Sequence, residues 1–585
     1  VITYRVTMPM PQSHLFWVDL NIDQLESRDL TLHLPAWTPG SYLVRDFARH
    51  VERFSVSGGA VWRKTDKAAW QITTDGVATI QVRYAVYANE LTVRTSHLDP
   101  SHGYFNGANL LMAVDGRTAE PLRLEVLPYD GWQVSCALPA APSSADGIAA
   151  FVAADYDELV DAPVECGTQQ LLRFSVDGIP HEIALWGEGN YDAERLIRDH
   201  RRIVETQRDM FGGLPYRNYL FIVHLTDGRG GGLEHRNSVT NAVDRWAFGQ
   251  ESSYRRYLSL TSHELFHVWN VKRIRPAPLG PFDYQRENYT RMLWLMEGAT
   301  SYYDDLLLVR AGLMTTAQYL DNLAETIVDV QSRPGRLIQS LEASSFDAWI
   351  KFYRPDEHSA NSSISYYTKG ALVCLAFDSA LRRLSSGSCS FDDVMRELYR
   401  RYPISGPGIP EEGAVTALMH ELLGPRPGAE QIDRIYREYI AGTAELDYAE
   451  IFAPFGLIPR WSHRQPRADG SAPGWLGANI RQQGDRLVVE SVRSDGPAHT
   501  DGLLAGDQIL ALNGWRVDDR RLAERIAALE IGAAADLTIF RGDRLCRVSV
   551  RIAPAPYDRL ELVSDDSTPA ARRLWPAAEQ RGDTA

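Results

Sequence analysis

The chain has 585 residues, 44% of them hydrophobic and 23% charged, which fits several globular domains with cores of their own and excludes a disordered or fibrous protein. Its formal net charge of −15, with no basic run, repels nucleic acid and anionic lipid, so polyanions are poor partners and no nucleic acid is expected. Five scattered cysteines without CxxC spacing suggest neither a disulfide framework nor a thiolate metal site.

In chain order, residues 1–165 alternate polar and apolar in short runs such as VITYRVTM, LTLHLPAW and TIQVRYAVYA, broken by Gly, Pro and Asp. That period predicts a β-sandwich-like domain. The chain opens on VITYRVTMP without a basic and hydrophobic leader, and no apolar stretch reaches the roughly 18 residues of a membrane span. A soluble protein is expected, with cytoplasm and periplasm both open, because a leader removed on export would leave the same record.

Residues 166–461 are predicted to form a mainly helical domain, since AERLIRDHRRIVETQRDMF and TRMLWLMEGATSYYDDLLLVRA place apolar residues at helical spacing; one strand is expected at NYLFIVHL. Residues 462–473, rich in Pro, Gly and charge, read as a linker. A small α+β module follows over 474–555, and 556–585 read as a tail.

Chemistry concentrates in SLTSHELFHVWNVKR, residues 259–273. Four residues advance about 400° on a helix, so His263 and His267 project from one face and can offer two nitrogens to one ion. Glu264 lies about 100° from His263 and can reach a water bound to such an ion. The competing reading is an ordinary amphipathic helix. A catalytic zinc needs a third protein ligand and an open position. Glu297 can supply that ligand; it is either a surface glutamate or, among Leu293, Trp294, Leu295 and Met296, one that points inward and needs a cation. Two turns on, Asp304 falls on nearly the same face and can accept a hydrogen bond from a ligand histidine, with Asp305 its competitor.

HELFH followed by WLMEG resembles the gluzincins, zinc peptidases of thermolysin-like fold whose third ligand is a glutamate on the next helix. Within them the chain looks like families M1 and M61, and LPAWTPGSYLVRDFARHV at 34–51 together with a C-terminal PDZ module favours M61, the glycyl aminopeptidases. The resemblance implies one Zn2+ per chain on His263, His267 and Glu297, with Glu264 as the base. It implies a glutamate for the substrate's free amine, placed at Glu234 in GRGGGLEHRNS with Gly231 and Gly232 letting substrate backbone approach; Leu233 and His235 depart from the M1 pattern G-x-M-E-N. It also implies an oxyanion tyrosine, Tyr367 by register with Lys369-Gly370, with Tyr366 the immediate competitor. Tyr42 and Arg45 either belong to a turn-rich connection or reach the cleft.

In GPAHTDGLLAGDQILALNG the third module resembles a PDZ domain, and Trp475, Leu476 and Gly477 resemble its loop for a chain-terminal carboxylate. The module either binds such a peptide or only packs on its neighbour. The implied function is an aminopeptidase releasing small first residues, Gly or Ala, from peptides with a free N-terminus. Alternatives are an endopeptidase on the same core or a PDZ-based binding protein with an inactive peptidase domain.

Overall fold

A computed structural model describes residues 2–565 apart from 26, 59 and 75. Alternation builds the N-terminal domain. In strand Leu15–Asp23 the side chains of Phe16, Val18, Leu20 and Ile22 are buried while their neighbours are less so. This strand lies inside a six-stranded sheet that also holds Ile2–Thr7, Leu122–Leu127 and Thr79–Tyr87. Its apolar face shares one core with Leu30, Leu32, Trp70 and Ile72 of a four-stranded sheet, which makes a sandwich. A third sheet, including His102–Phe105 and Val164–Gly167, meets the next domain.

The middle domain carries more strand than its helical periodicity predicts. Five strands, β1 (Gln170–Val176), β2 (Ile179–Trp186), β3 (Tyr219–Thr226), β4 (Gly231–Glu234) and β5 (Ser238–Asp244), lie in the order β1-β2-β3-β5-β4. Only β3, buried throughout, reads in sequence as a nearly continuous apolar run, broken by His224. The edge strand β4 is short and glycine-rich, so alternation is silent there.

Four helices frame the site. α1 (Ala193–Phe211) starts where the Asp192 side chain accepts from the Arg195 amide and stops at left-handed Gly212. α2 (Glu251–Phe266) carries the HELFH motif, α3 (Gly298–Arg310) continues from a short turn at Leu293–Met296 through Glu297, and α4 (Thr368–Ser385) follows Tyr367. All contribute to one large core that includes Leu265, Trp269, Trp294 and Phe377. The N-terminal domain enters that core as well. Trp37 donates from Nε1 to the Asp283 carbonyl at 3.0 Å and its ring sits 5.0 Å from Trp349, so the AWTPGSY stretch wedges into the catalytic domain.

The C-terminal module has its own core around Leu487, Val489, Leu537 and Val550. It is clamped to the catalytic domain at Asn361, whose amide donates to the Val492 carbonyl at 2.8 Å and accepts from the Ser494 amide at 2.9 Å. The tail expected from 556 is corrected in part: Arg559–Ser564 pairs antiparallel with Leu457–Ser462, and Leu560 joins the main core. Its first residues return to the catalytic domain because LELV alternates, a signal masked by its polar surroundings. The rest of that tail, from 566, lies outside the described residues. No helix among the described residues is long and apolar enough to cross a membrane.

Candidate active site

α2 ends at Phe266, and His267 keeps right-handed backbone angles of φ −61° and ψ −17° as its C-cap. The two imidazoles therefore still project from one face, with ring centres 4.8 Å apart. Glu297 sits at the joint between Leu293–Met296 and α3, and its Oε2 lies 3.5 Å from His263 Nε2 and 3.3 Å from His267 Nε2. That oxygen is buried and makes no hydrogen bond. Three donors about 2.1 Å from a tetrahedral centre lie about 3.4 Å from one another. Glu297 Oε2 meets that separation toward both imidazoles, all three donors lie within 4.8 Å of one another, and the donor types suit zinc.

Each ring is steered by its other nitrogen. His263 Nδ1 is 3.3 Å from Asp304 Oδ2, and His267 Nδ1 donates to the Asn270 carbonyl at 2.7 Å. The Asn270 side chain in turn donates to the Leu295 and Met296 carbonyls at 3.0 and 2.8 Å, locking the end of α2 to the turn that presents Glu297. Asp305, the competitor of Asp304, instead accepts from Asn322 at 2.7 Å.

Glycines make room for the acidic groups. A Cβ on Gly232 would collide with Glu264 Oε1, and one on Gly40 would lie 2.6 Å from both oxygens of Glu234. Gly298 and Gly370 let α3 and α4 touch backbone to backbone, since a Cβ on Gly298 would sit 2.7 Å from Gly370 Cα. That contact sets Tyr367 over His263, ring centres 6.2 Å apart, whereas Tyr366 is wholly buried. Burial raises the Glu264 carboxyl to about 7 against the lowering charges of His263 and His267. For Glu297 burial also acts upward, but the same two histidines outweigh it and hold the group at about 2.

A cleft of about 490 Å³ brings together Glu234, Gly232, Glu264, Tyr367 and the three donors, with Asp304 at its wall. Gly231 precedes Gly232 on edge strand β4 with φ +127°, open to glycine alone. His235, where the M1 pattern has Asn, points Nδ1 to Asp161 at 3.2 Å. Tyr42 is buried against Trp349, 5.5 Å between rings, and Arg45 lines a second cavity of about 830 Å³. Sequence reasoning missed Gly40, Arg94, Phe352 and Tyr353, which line the cleft from loops. Gly40 lies inside the PAWTPGSY stretch singled out for its pattern; the other three carry no sequence signal. On the third module Leu476 is a core residue, Gly477 packs its backbone on Gly496 with φ +78°, and Arg493 stands 5.2 Å above the Trp475 ring. The loop is braced there, its Leu476 and Gly477 carbonyls accepting from Ala498 and Arg493 at 2.8 Å each.

Residues 3–168 match the Peptidase M61 N-terminal domain, 256–373 the M61 glycyl aminopeptidase domain and 474–552 a PDZ domain. A solved aminopeptidase N family protein from Idiomarina loihiensis is 30% identical, with a TM-score of 0.91 over 98% of this chain and 99% of that one. Two proteins named "Probable periplasmic serine endoprotease DegP-like" are also similar. The one from Brucella suis biovar 1 (strain 1330) is 34% identical over 15% of this chain, and the one from Rhizobium meliloti (strain 1021) is 32% identical over 19% of it. The chain spans about a fifth to a quarter of the length of these curated relatives, 19% and 24%.

Proposed function

From a chain that belongs to peptidase family M61, and is thus a metallopeptidase, we propose an aminopeptidase that removes small first residues, Gly or Ala, from peptides with a free N-terminus. The observation that carries this reading is the Glu234 carboxylate, 4% exposed, in the same cleft as the three converging donors and Glu264. A carboxylate so placed suits an ammonium group and fixes how far a peptide can advance. The preference for a small first residue comes from the family that the chain belongs to.

One zinc ion per chain, held by His263 Nε2, His267 Nε2 and Glu297 Oε2, would supply Lewis acidity toward the scissile carbonyl and toward water. Glu264, whose Oε2 has no partner, takes a proton from the attacking water and delivers it to the departing amine nitrogen. The Tyr367 hydroxyl donates to the carbonyl oxygen as negative charge gathers there. Glu234 holds the ammonium, and Asp304 and the Asn270 carbonyl keep the two imidazoles oriented. The PDZ module, through Trp475, Leu476 and Gly477, takes a chain-terminal peptide.

The test compares a free tripeptide with its N-acetyl form. Wild type cleaves the free form, and Glu234→Ala loses about 10- to 100-fold in kcat/KM on it, the worth of one charge-assisted bond. Equal cleavage of both forms by wild type would replace this reading with an endopeptidase.

A further inference from the structure

Arg94 enters the cleft from the N-terminal domain beside edge strand β4. Its Nη2 donates to the Gly232 carbonyl over a long 3.4 Å, its Nη1 lies 3.8 Å from where a Gly231 Cβ would stand, and its Nε is buried with no partner. Arg45 lines a second cavity together with Asp46 and Glu90, and donates from Nη1 to the Leu43 carbonyl at 3.1 Å. Burial first, then the charge of Arg94, lowers the Arg45 guanidinium to about 10, with Tyr353 and then Glu90 acting upward. Neither arginine forms an ion pair among the described residues, although the chain carries a net charge of −15. A half-buried guanidinium with an unpartnered Nε and no ion pair suits an anion, and Arg takes a carboxylate by its planar fork.

Spacing says which anion. From Glu234 back to Gly232 and Gly231 is two to three residues of extended strand, about 7–10 Å at 3.3 Å per residue. A peptide whose amine meets Glu234 and which runs antiparallel to β4 covers about 7 Å in two residues. Its second residue therefore ends beside Arg94.

We propose that Arg94 binds the terminal carboxylate of a dipeptide, so that the cleft reads both ends of its substrate and dipeptides are its preferred class. This rests on Glu234 as the amine anchor. A longer peptide would present a neutral amide at that point, leaving the guanidinium fork without its charged partner, whereas a dipeptide satisfies it.

The experiment measures kcat/KM on Ala-Ala, Ala-Ala-amide, Ala-Glu-amide and Ala-Gln-amide, and binding of the first two to zinc-loaded Glu264→Gln by calorimetry. Wild type should prefer Ala-Ala over its amide by about 10- to 100-fold in both readouts. Arg94→Ala should bring that ratio to about one, and Arg94→Lys, which keeps the charge and loses the fork, should restore part of it. A wild-type ratio near one, or a ratio unchanged in Arg94→Ala, overturns the proposal without recourse to any variant that fails to fold. A preference for Ala-Glu-amide over Ala-Gln-amide, with none for the free acid, would move the carboxylate to a side chain and overturn the dipeptide assignment. Acetylation tests Glu234 separately: indifference to acetylation together with a large acid-to-amide ratio removes the amine anchor and leaves Arg94 as an anion site.

Discussion

At the seam between the N-terminal and catalytic domains, His102 Nδ1 and His224 Nε2 each lie 2.8 Å from a different oxygen of Glu165; in the cleft, His263 and His267 lie 3.5 and 3.3 Å from the same oxygen of Glu297. Both clusters hold two histidines and a glutamate; the first is wholly buried, while in the second His263 is partly exposed. In the first, each contact is a hydrogen bond and the carboxylate is satisfied; the Trp186 ring stacks on His102 at 3.6 Å and closes the site. In the second, Glu297 Oε2 has no hydrogen bond although two ring nitrogens are close, and the donors surround a point instead of pairing. Residue type does not separate a domain clasp from a metal centre; convergence on one point does.

Removing one acid from each cluster separates the two roles. Glu297→Ala should lose zinc, measured by atomic absorption after dialysis, and with it all peptidase activity above background. Glu264→Gln, which leaves the donors intact, should keep zinc and lose about 10²- to 10⁴-fold in kcat; equal turnover with wild type would end its role as base. Glu165→Ala should keep zinc and lose stability by about 3–5 kcal/mol, because His102 and His224 are left buried without their shared acceptor. Denaturant unfolding followed at Trp fluorescence reads that loss. If zinc content fell in Glu165→Ala and stayed in Glu297→Ala, the two roles would be exchanged.

The two clusters also differ in how far the sequence exposes them. His263, Glu264 and His267 stand at fixed helical spacing, and Glu297 lies among apolar residues where a carboxylate needs a reason. The β-sandwich is likewise legible, because Leu15–Asp23 alternates over its whole length. His102, Glu165 and His224 come from three strands distant in sequence, and only the packing of two sheets brings them together. Arg94, Phe352 and Tyr353 reach the cleft from loops, where no period exists to mark them. Strand β4 stayed hidden because glycines break the alternation that would announce it, and those glycines are what let Glu264 stand against the strand.

A smaller effect is expected within the metal centre itself. Its two imidazoles are held differently: His267 by a backbone carbonyl at 2.7 Å that mutation cannot delete, His263 by the Asp304 carboxylate at a longer 3.3 Å. Burial pushes Asp304 up to about 6 although its bond to His263 pulls the other way, so the charge that orients the ring is itself costly to keep. Asp304→Asn preserves shape and can still accept from Nδ1, but it removes the negative charge that makes His263 a better donor. Zinc affinity, titrated against a competing chelator, should fall by about 10- to 100-fold. The overall fold should hold, since α3 is fixed by Gly298 against Gly370 and by the Asn270 side chain rather than by Asp304. An affinity equal to wild type would mean that proximity alone fixes the His263 ring, and that the carboxylate beside it contributes only to packing.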